Sequence, residues 1–198
     1  MLGEANKERL VRGDGAQPGD VILLARAIPV EGTGILAAAK RKELIPTLGS
    51  DVINRAENYL KDPGISVVRL ALAAAETGFG NEMHDPTEVG LATGVHELSE
   101  AARLGTLVEK DAVPISEEGE AICSTLGIDP LGVITSGALL LAVPPENENL
   151  LRGILEEAAG LGVRTGTLLP PAEGVTILQG EKRFPLPRYD ADEISKIL

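Results

Sequence analysis

Residues 78–92 read Gly78-Phe79-Gly80-Asn81-Glu82-Met83-His84-Asp85-Pro86-Thr87-Glu88-Val89-Gly90-Leu91-Ala92. A glycine-rich turn leads into a short extended segment, and a helix follows. Asp85 suits an N-cap, Pro86 suits the first helical position, and Glu88 would complete a capping box. This pattern predicts a helix that starts at Asp85, runs to about Arg103, and buries an apolar face formed by Leu91, Val95, Leu98 and Ala102.

The start of this helix is a candidate anion site. Free N–H groups and the positive end of the helix dipole attract anions there, and His84, Asp85 and Thr87 lie beside it. Capping alone also selects such residues, so a purely structural role stays open. Asp85 and Glu88 carry negative charge, so a phosphate would need a metal ion or a basic side chain from elsewhere.

Strand and helix patterns alternate along the rest of the chain. Short apolar runs predict strands, and segments of 3.6-residue periodicity between capping signals predict helices. The predicted strands are 21–25, 81–84, 106–109, 138–143, 163–169 and 174–178, and the predicted helices, besides the one at Asp85, are 33–44, 50–60, 66–76, 116–126, 146–159 and a last one from Asp190. This order predicts an α/β (α+β) fold, with a mixed sheet flanked by helices in layers.

Two glycine-containing turns are further candidates for ligand contact. Glu31-Gly32-Thr33-Gly34 lies between a strand and a helix, where open α/β sheets bind ligands, although it lacks the lysine of a P-loop. Ser136-Gly137 precedes a strand and is a candidate for the edge of the same cleft. As isolated signals, both are also compatible with plain turns.

Histidine and cysteine chemistry is sparse. His84 could donate to a substrate oxygen or carry a proton, and a structural hydrogen bond is the alternative. His96 lacks the second histidine of a zinc helix and falls on a predicted solvated helix side, so we predict no metal site. Cys123, the only cysteine, falls on an apolar helix face and is expected to be buried and inert.

Composition limits the partners. The net charge is −12 and the pI about 4.6, which disfavours nucleic acid and anionic membrane surfaces. A single cysteine permits no intrachain disulfide, and the apolar runs are too short to span a bilayer. We therefore expect a cytoplasmic protein.

Four segments together resemble a known family. His84-Asp85-Pro86-Thr87-Glu88-x-Gly90-Leu91-Ala92 is similar to the Asp-Pro-Thr-x-Gly-Gly-Leu-Ala signature of the aminoimidazole ribonucleotide (AIR) synthase, or PurM-like, superfamily, and most resembles its hydrogenase expression/formation branch, HypE, and AIR synthase-related proteins. The segments 12–20, 31–37 and 136–140 resemble the same family's C-terminal domain in the same order. Val89 replaces a signature glycine, so substrate identity does not transfer.

The resemblance implies a domain organisation. Residues 1–17 would form a polar lead or interdomain linker, and 18–198 the C-terminal domain, without the N-terminal domain that carries most of the ATP and metal site. ATP and Mg²⁺ are implied by the family, but we expect none to be bound by this chain alone. The partners implied are that N-terminal domain, in cis or in trans, and a second copy in a dimer.

The resemblance also implies a function. Relatives such as AIR synthase and HypE, which serve purine biosynthesis and hydrogenase maturation, activate an amide-type oxygen by phosphorylation. The residues that would line the substrate and phosphate side are Gly32, Thr33, Gly34, Asp85, Thr87, Gly90, Ser136 and Gly137, with His84 and Asp85 the candidates for a catalytic part. The chain would be inactive without the N-terminal domain. The alternative is a stand-alone, non-catalytic module for small-molecule binding or oligomerisation.

Overall fold

The computed structural model describes residues 10–198. Among the described residues, seven strands and seven α-helices form the regular structure, with short 3₁₀ turns and one π-helical turn, Leu60–Gly64, between them. The strands are β1 (Val21–Ala25), β2 (Glu82–His84), β3 (Gly105–Glu109), β4 (Leu139–Val143), β5 (Gly162–Leu169), β6 (Val175–Gln179) and β7 (Lys182–Pro185). The helices are α1 (Val30–Ala39), α2 (Arg41–Leu48), α3 (Ser50–Asn58), α4 (Val68–Ala75), α5 (Gly90–Ala102), α6 (Glu117–Leu126) and α7 (Glu148–Ala159).

All seven strands belong to one sheet. Their spatial order is β2-β4-β1-β5-β3-β6-β7, and each neighbouring pair is antiparallel except the parallel pair β3–β6. The central strands β1 and β4 are fully buried, which fits their uninterrupted apolar sequences. The predicted mixed sheet is therefore confirmed.

Each face of the sheet is covered by helices. Helix α5 packs Leu91, Val95 and Leu98 onto one face, against alternate residues of β1 and β4. Helices α4 and α7 cover the opposite face through Leu70 and Leu155. Because successive strand residues point to opposite faces, the same two strands supply both cores, and the predicted layered arrangement is confirmed.

A third apolar cluster lies among the helices α1, α2, α3 and α6. Leu36, Ile53 and Ile122 are fully buried there, and Cys123 lies with them at 1% exposure. Burial raises the pKa of the Cys123 thiol to about 12, with Glu120 contributing further. The predicted burial of Cys123 is confirmed, and its lack of reactivity stays a prediction.

Several predicted helix boundaries are wrong. The helix predicted over 33–44 begins earlier, at Val30, and is broken at Lys40, after which α2 follows. The helix predicted from Asp190 is only a 3₁₀ turn, Glu193–Lys196, which Asp192 caps by accepting from the Ile194 N–H. Strand β7 was not predicted, because its sequence, Lys-Arg-Phe-Pro, is exposed and does not alternate.

The proposed lead of residues 1–17 is only partly described, since residues 1–9 lie outside the described range. Within that range, Gly19 donates its N–H to the Leu168 carbonyl, and Ala16 is buried. The chain is thus attached to the sheet before β1 begins. None of the helices described here has the length and apolar character needed to cross a membrane.

Candidate functional site

The three predicted segments meet through backbone hydrogen bonds. Gly32, near the start of α1, donates its N–H to the Ile134 carbonyl at 3.0 Å. The neighbouring Thr135 donates its N–H to the Thr87 carbonyl at 3.1 Å. Segments that are about fifty residues apart in sequence are therefore held against one another, and we call them together the entrance cluster (residues 30–34, 84–90 and 133–137).

The start of α5 differs from the prediction. The helix begins at Gly90 and not near Asp85, Val89 is its N-cap residue, and no side chain caps it. Asp85 and Glu88 therefore do not form the predicted capping box. Pro86 is buried beside the helix, where a Cβ added to Gly94 would lie 2.5 Å from the Pro86 Cβ. Residues 84–88 therefore lie alongside α5, and the chain enters the helix only after them, at Gly90.

Two successive residues make that turn with positive φ. Val89 has φ 61° and Gly90 has φ 73°. A β-branched residue in this region is strained by about 1–3 kcal/mol, so surrounding contacts must hold it. One such contact is the Val89 N–H, which donates to the Asp192 carboxylate at 2.9 Å.

Gly90 is also the point of closest approach between segments. A Cβ added there would lie 2.5 Å from the Leu131 carbonyl oxygen and 2.8 Å from the Val133 nitrogen. Only glycine fits both the positive φ and this contact. The amides of Leu91 and Ala92, which follow it, have no acceptor among residues 10–198, as expected of an uncapped helix start.

The glycines near α1 lie inside a helix and not in a loop. Thr33 is fully buried, and its hydroxyl and its N–H both donate to the Pro29 carbonyl. A Cβ on Gly32 would collide with Val133, and one on Gly34 would collide with Leu60. These residues therefore bring other segments close, and the polar groups of Thr33 point into the protein.

Ser136 and Gly137 lie at the other end of the cluster. Gly137 has φ 102°, and its carbonyl accepts from the Arg26 guanidinium at 2.9 Å. Beside them, Thr135 is fully buried, and its hydroxyl has no partner within the described residues. Sequence reasoning missed Thr135, since one threonine before a serine carries no recognisable signal.

The charge of the entrance cluster is negative. Asp85 and Thr87 are exposed residues. The pKa of Asp85 is nevertheless raised, chiefly because neighbouring atoms shield its carboxylate from part of the solvent. His84 lowers that pKa, whereas Glu31 raises it. The His84 Nε2 lies 2.9 Å from the Glu97 carboxylate on α5, so the side-chain partner of His84 is an acid.

The C-terminal segment, residues 189–193, forms hydrogen bonds to the entrance cluster and to the neighbouring Asp129. Sequence reasoning missed this role. Besides the Asp192 contact, the Tyr189 hydroxyl donates to the Asp129 carboxylate at 2.7 Å, and Glu193 accepts from the Asp129 N–H at 3.3 Å. The only available signal was the capping character of Asp129 and Asp192. It indicates local turns but does not indicate which distant segment they contact.

The entrance cluster offers some of the groups that a nucleotide and its metal ion would need. The uncapped amides of α5 suit phosphate oxygens. However, the described residues contain no group of three or more His, Cys, Asp or Glu side chains arranged to hold a metal ion. Asp85 is also flanked by an acid and a histidine, not by lysine or arginine. The described residues therefore fit part of such a site and lack a complete set of metal ligands.

A mixed seven-stranded sheet layered between helices, with such a cluster at the start of α5, defines the class of fold. Residues 17–168 match the model of the AIR synthase related protein family, C-terminal domain. The chain therefore belongs to that family, as the sequence resemblance implied.

Individual relatives agree. The chain is 30% identical over 158 residues to a putative hydrogenase expression/formation protein of Methanocaldococcus jannaschii, covering 79% of this chain and 43% of the relative. It is 32% identical over 149 residues to the carbamoyl dehydratase HypE of Azotobacter vinelandii, covering 75% and 40%. The chain thus spans less than half the length of these relatives.

Solved structures show the same fold. The crystal structure of Escherichia coli HypE superposes with a TM-score of 0.76 at 19% identity, covering 94% of this chain and 55% of that one. A structure of HypE in complex with ATP gives a TM-score of 0.67 at 22% identity, covering 91% and 54%. At these identities, the comparison establishes the fold.

Proposed function

We propose that this chain is the substrate and phosphate side of an ATP-dependent enzyme related to HypE, which activates an amide-type oxygen by phosphorylation. The observation that carries the proposal is the hydrogen-bonded convergence of residues 32, 87 and 135 at an uncapped helix start. Membership of the family supports it, as do the carbamoyl dehydratase relatives and the ATP complex of HypE.

In the proposed chemistry, the substrate's amide oxygen would take the terminal phosphoryl group of ATP and release ADP. That oxygen would then leave the substrate as phosphate. ATP would supply the phosphoryl group, and Mg²⁺ would neutralise its charge. The amides of α5 would orient phosphate oxygens. Asp85 would accept a hydrogen bond from the substrate amide, and Thr87 would position it. Such reactions depend on positioning and charge neutralisation, so no side-chain nucleophile is required.

The negative charge of the entrance cluster supports the proposal that a second domain supplies part of the nucleotide and metal site. Asp85, Glu31 and Glu88 would repel an unaccompanied phosphate, so the ligand must arrive with its cation. We propose that an N-terminal domain of the same family supplies the remaining metal ligands and most of the nucleotide site. On its own, the chain would then be inactive, and its cytoplasmic location stays a prediction.

The test uses a two-domain protein in which this chain follows an N-terminal domain of the AIR synthase family. Asp85→Asn should lower the rate of ATP turnover at least tenfold. Its melting temperature should hardly change, because Asp85 caps no helix. Asp51→Asn, at an exposed acid in the first turn of α3, is the control and should leave turnover unchanged. Wild-type turnover by Asp85→Asn would refute the assignment.

A second candidate function, self-association, is favoured by an apolar stripe at and before α4. Ile65, Val68 and Leu72 are 45%, 62% and 57% exposed, and Val68 and Leu72 lie one helical turn apart. We propose a homodimer that covers this stripe. Sedimentation velocity at about 100 μM should detect it, and Val68→Glu with Leu72→Lys should abolish it. A wild-type monomer at that concentration would contradict it.

A further inference from the structure

Arg26, a buried arginine, directly follows strand β1. Arg26 is 9% exposed and has φ 71°, in the left-handed region that favours glycine. Its Nη1 donates to the carbonyl oxygens of Gly64 and Gly137, each at 2.9 Å, and of Ser66 at 3.4 Å. Its Nε is buried and has no hydrogen-bond partner within the described residues.

The positive charge of Arg26 is not balanced by a contacting acid. Within residues 10–198, no carboxylate lies within salt-bridge distance of its guanidinium, whereas most other arginines there form such pairs. Burial and the nearby Arg69 lower the pKa of Arg26, and Asp62 opposes them more weakly. In a chain with a net charge of −12, this is a local excess of positive charge.

Arg26 lines a cleft of about 370 Å³. Its lining combines the polar residues Arg26, Tyr59 and Ser116 with apolar residues that include Ala27, Val30 and Leu161. This volume lies within the range that holds small organic ligands. Burial raises the pKa of Tyr59 to about 12, so its hydroxyl carries no charge at neutral pH.

The carboxylate of Glu118, which lies near the cleft, already has an arginine partner. Glu118 accepts from the Tyr59 hydroxyl at 2.7 Å and from the Arg55 Nε at 2.6 Å. Its charge therefore opposes an anion in the cleft only weakly, whereas Arg26 has no paired carboxylate among residues 10–198.

We propose that this cleft binds a small molecule that carries an oxyanion, either a carboxylate or a phosphate, on a compact apolar body. Arg26 pairs with the oxyanion, and the apolar walls contact the body. Val30 and Gly137 also belong to the entrance cluster, but neither Asp85 nor Thr87 contacts Arg26 or lines the cleft, so the proposed binding does not require the proposed ATP chemistry.

The experiment measures the melting temperature of the full chain during titration with phenyl phosphate or benzoate, with chloride holding ionic strength constant. These two probes separate a phosphate ligand from a carboxylate ligand. Inorganic phosphate, which lacks an apolar body, should bind at least tenfold more weakly than phenyl phosphate. We expect a saturable rise with one or both aromatic probes in the wild-type chain. No saturable rise with either would overturn the proposal.

Variants test the assignment of Arg26. Arg26→Met should abolish the rise, whereas Arg69→Met removes an equal charge from an exposed neighbour outside the cleft and should retain it. If loss of three carbonyl contacts prevents Arg26→Met from folding, Ala27→Leu decides, because it narrows the cleft and keeps the arginine. Undiminished binding by Ala27→Leu, or by a folded Arg26→Met, would overturn the proposal.

Discussion

Among single residues, Glu82 is the acid whose burial has the clearest consequence. It is 1% exposed on strand β2, and its Oε2 has no partner within the described residues. Burial raises its pKa from 4.5 to about 7, a backbone hydrogen bond from Ala16 lowers it, and Asp14 and Asp20 raise it further. Because the folded pKa lies above the unfolded value, stability should fall as pH rises from about 4.5 to about 7.

Replacing Glu82 by glutamine should remove this dependence. A pKa rise of this size corresponds to about 3 kcal/mol above pH 7, and an imperfectly paired amide offsets about 1 kcal/mol of it. We therefore expect Glu82→Gln to raise the free energy of unfolding by about 2 kcal/mol at pH 8 and to give no gain at pH 4.5. Urea unfolding at both pH values measures this.

The control for that prediction is Glu88→Gln, which removes the same charge from an exposed position. It should change stability by less than about 0.5 kcal/mol at either pH. A stability gain in Glu82→Gln that is equal at pH 8 and pH 4.5 would show that ionisation of Glu82 is not its cause.

At the scale of elements, the start of α5 depends on the glycine at position 90. Gly90→Ala would need a positive φ and would place a methyl group 2.5 Å from the Leu131 carbonyl. We expect it to lower the free energy of unfolding by about 2–4 kcal/mol. Calorimetry or urea unfolding measures the change.

A matched glycine lies in α7. Gly153 is exposed within the helix, and an added Cβ would meet nothing within 4 Å. Gly153→Ala should therefore stabilise the chain by about 0.5–1 kcal/mol. Equal effects at positions 90 and 153 would mean that the close approach of residues 131–133 to α5 is not real.

Elements also differ in how well their sequences predict them. Strand β1 and the unit formed by β4, α7 and β5 were predicted because their apolar runs and the glycines that end α7 are local signals. The start of α5 was not predicted. Its position depends on Asp192, about a hundred residues later, and on residues 131–133, and a local capping pattern contains no information about either.

For the whole molecule, the sequence resemblance predicted the family and the layered mixed sheet correctly. It also named residues in three segments that the fold brings together, although the ligand roles of those residues stay predictions. The cleft at Arg26 was not predicted, because its lining comes from four separate parts of the chain, 26–30, 59–63, 116 and 159–161. No local pattern indicates that such residues share a surface.

The most direct test of the central claim, that this chain carries one side of a nucleotide site, is calorimetric titration with Mg-ATP. The isolated chain should bind it weakly, with a Kd of about 1 mM or more. The two-domain protein should bind at least a hundredfold more tightly. Micromolar binding by the isolated chain would contradict the account, because the described residues lack a complete set of metal ligands.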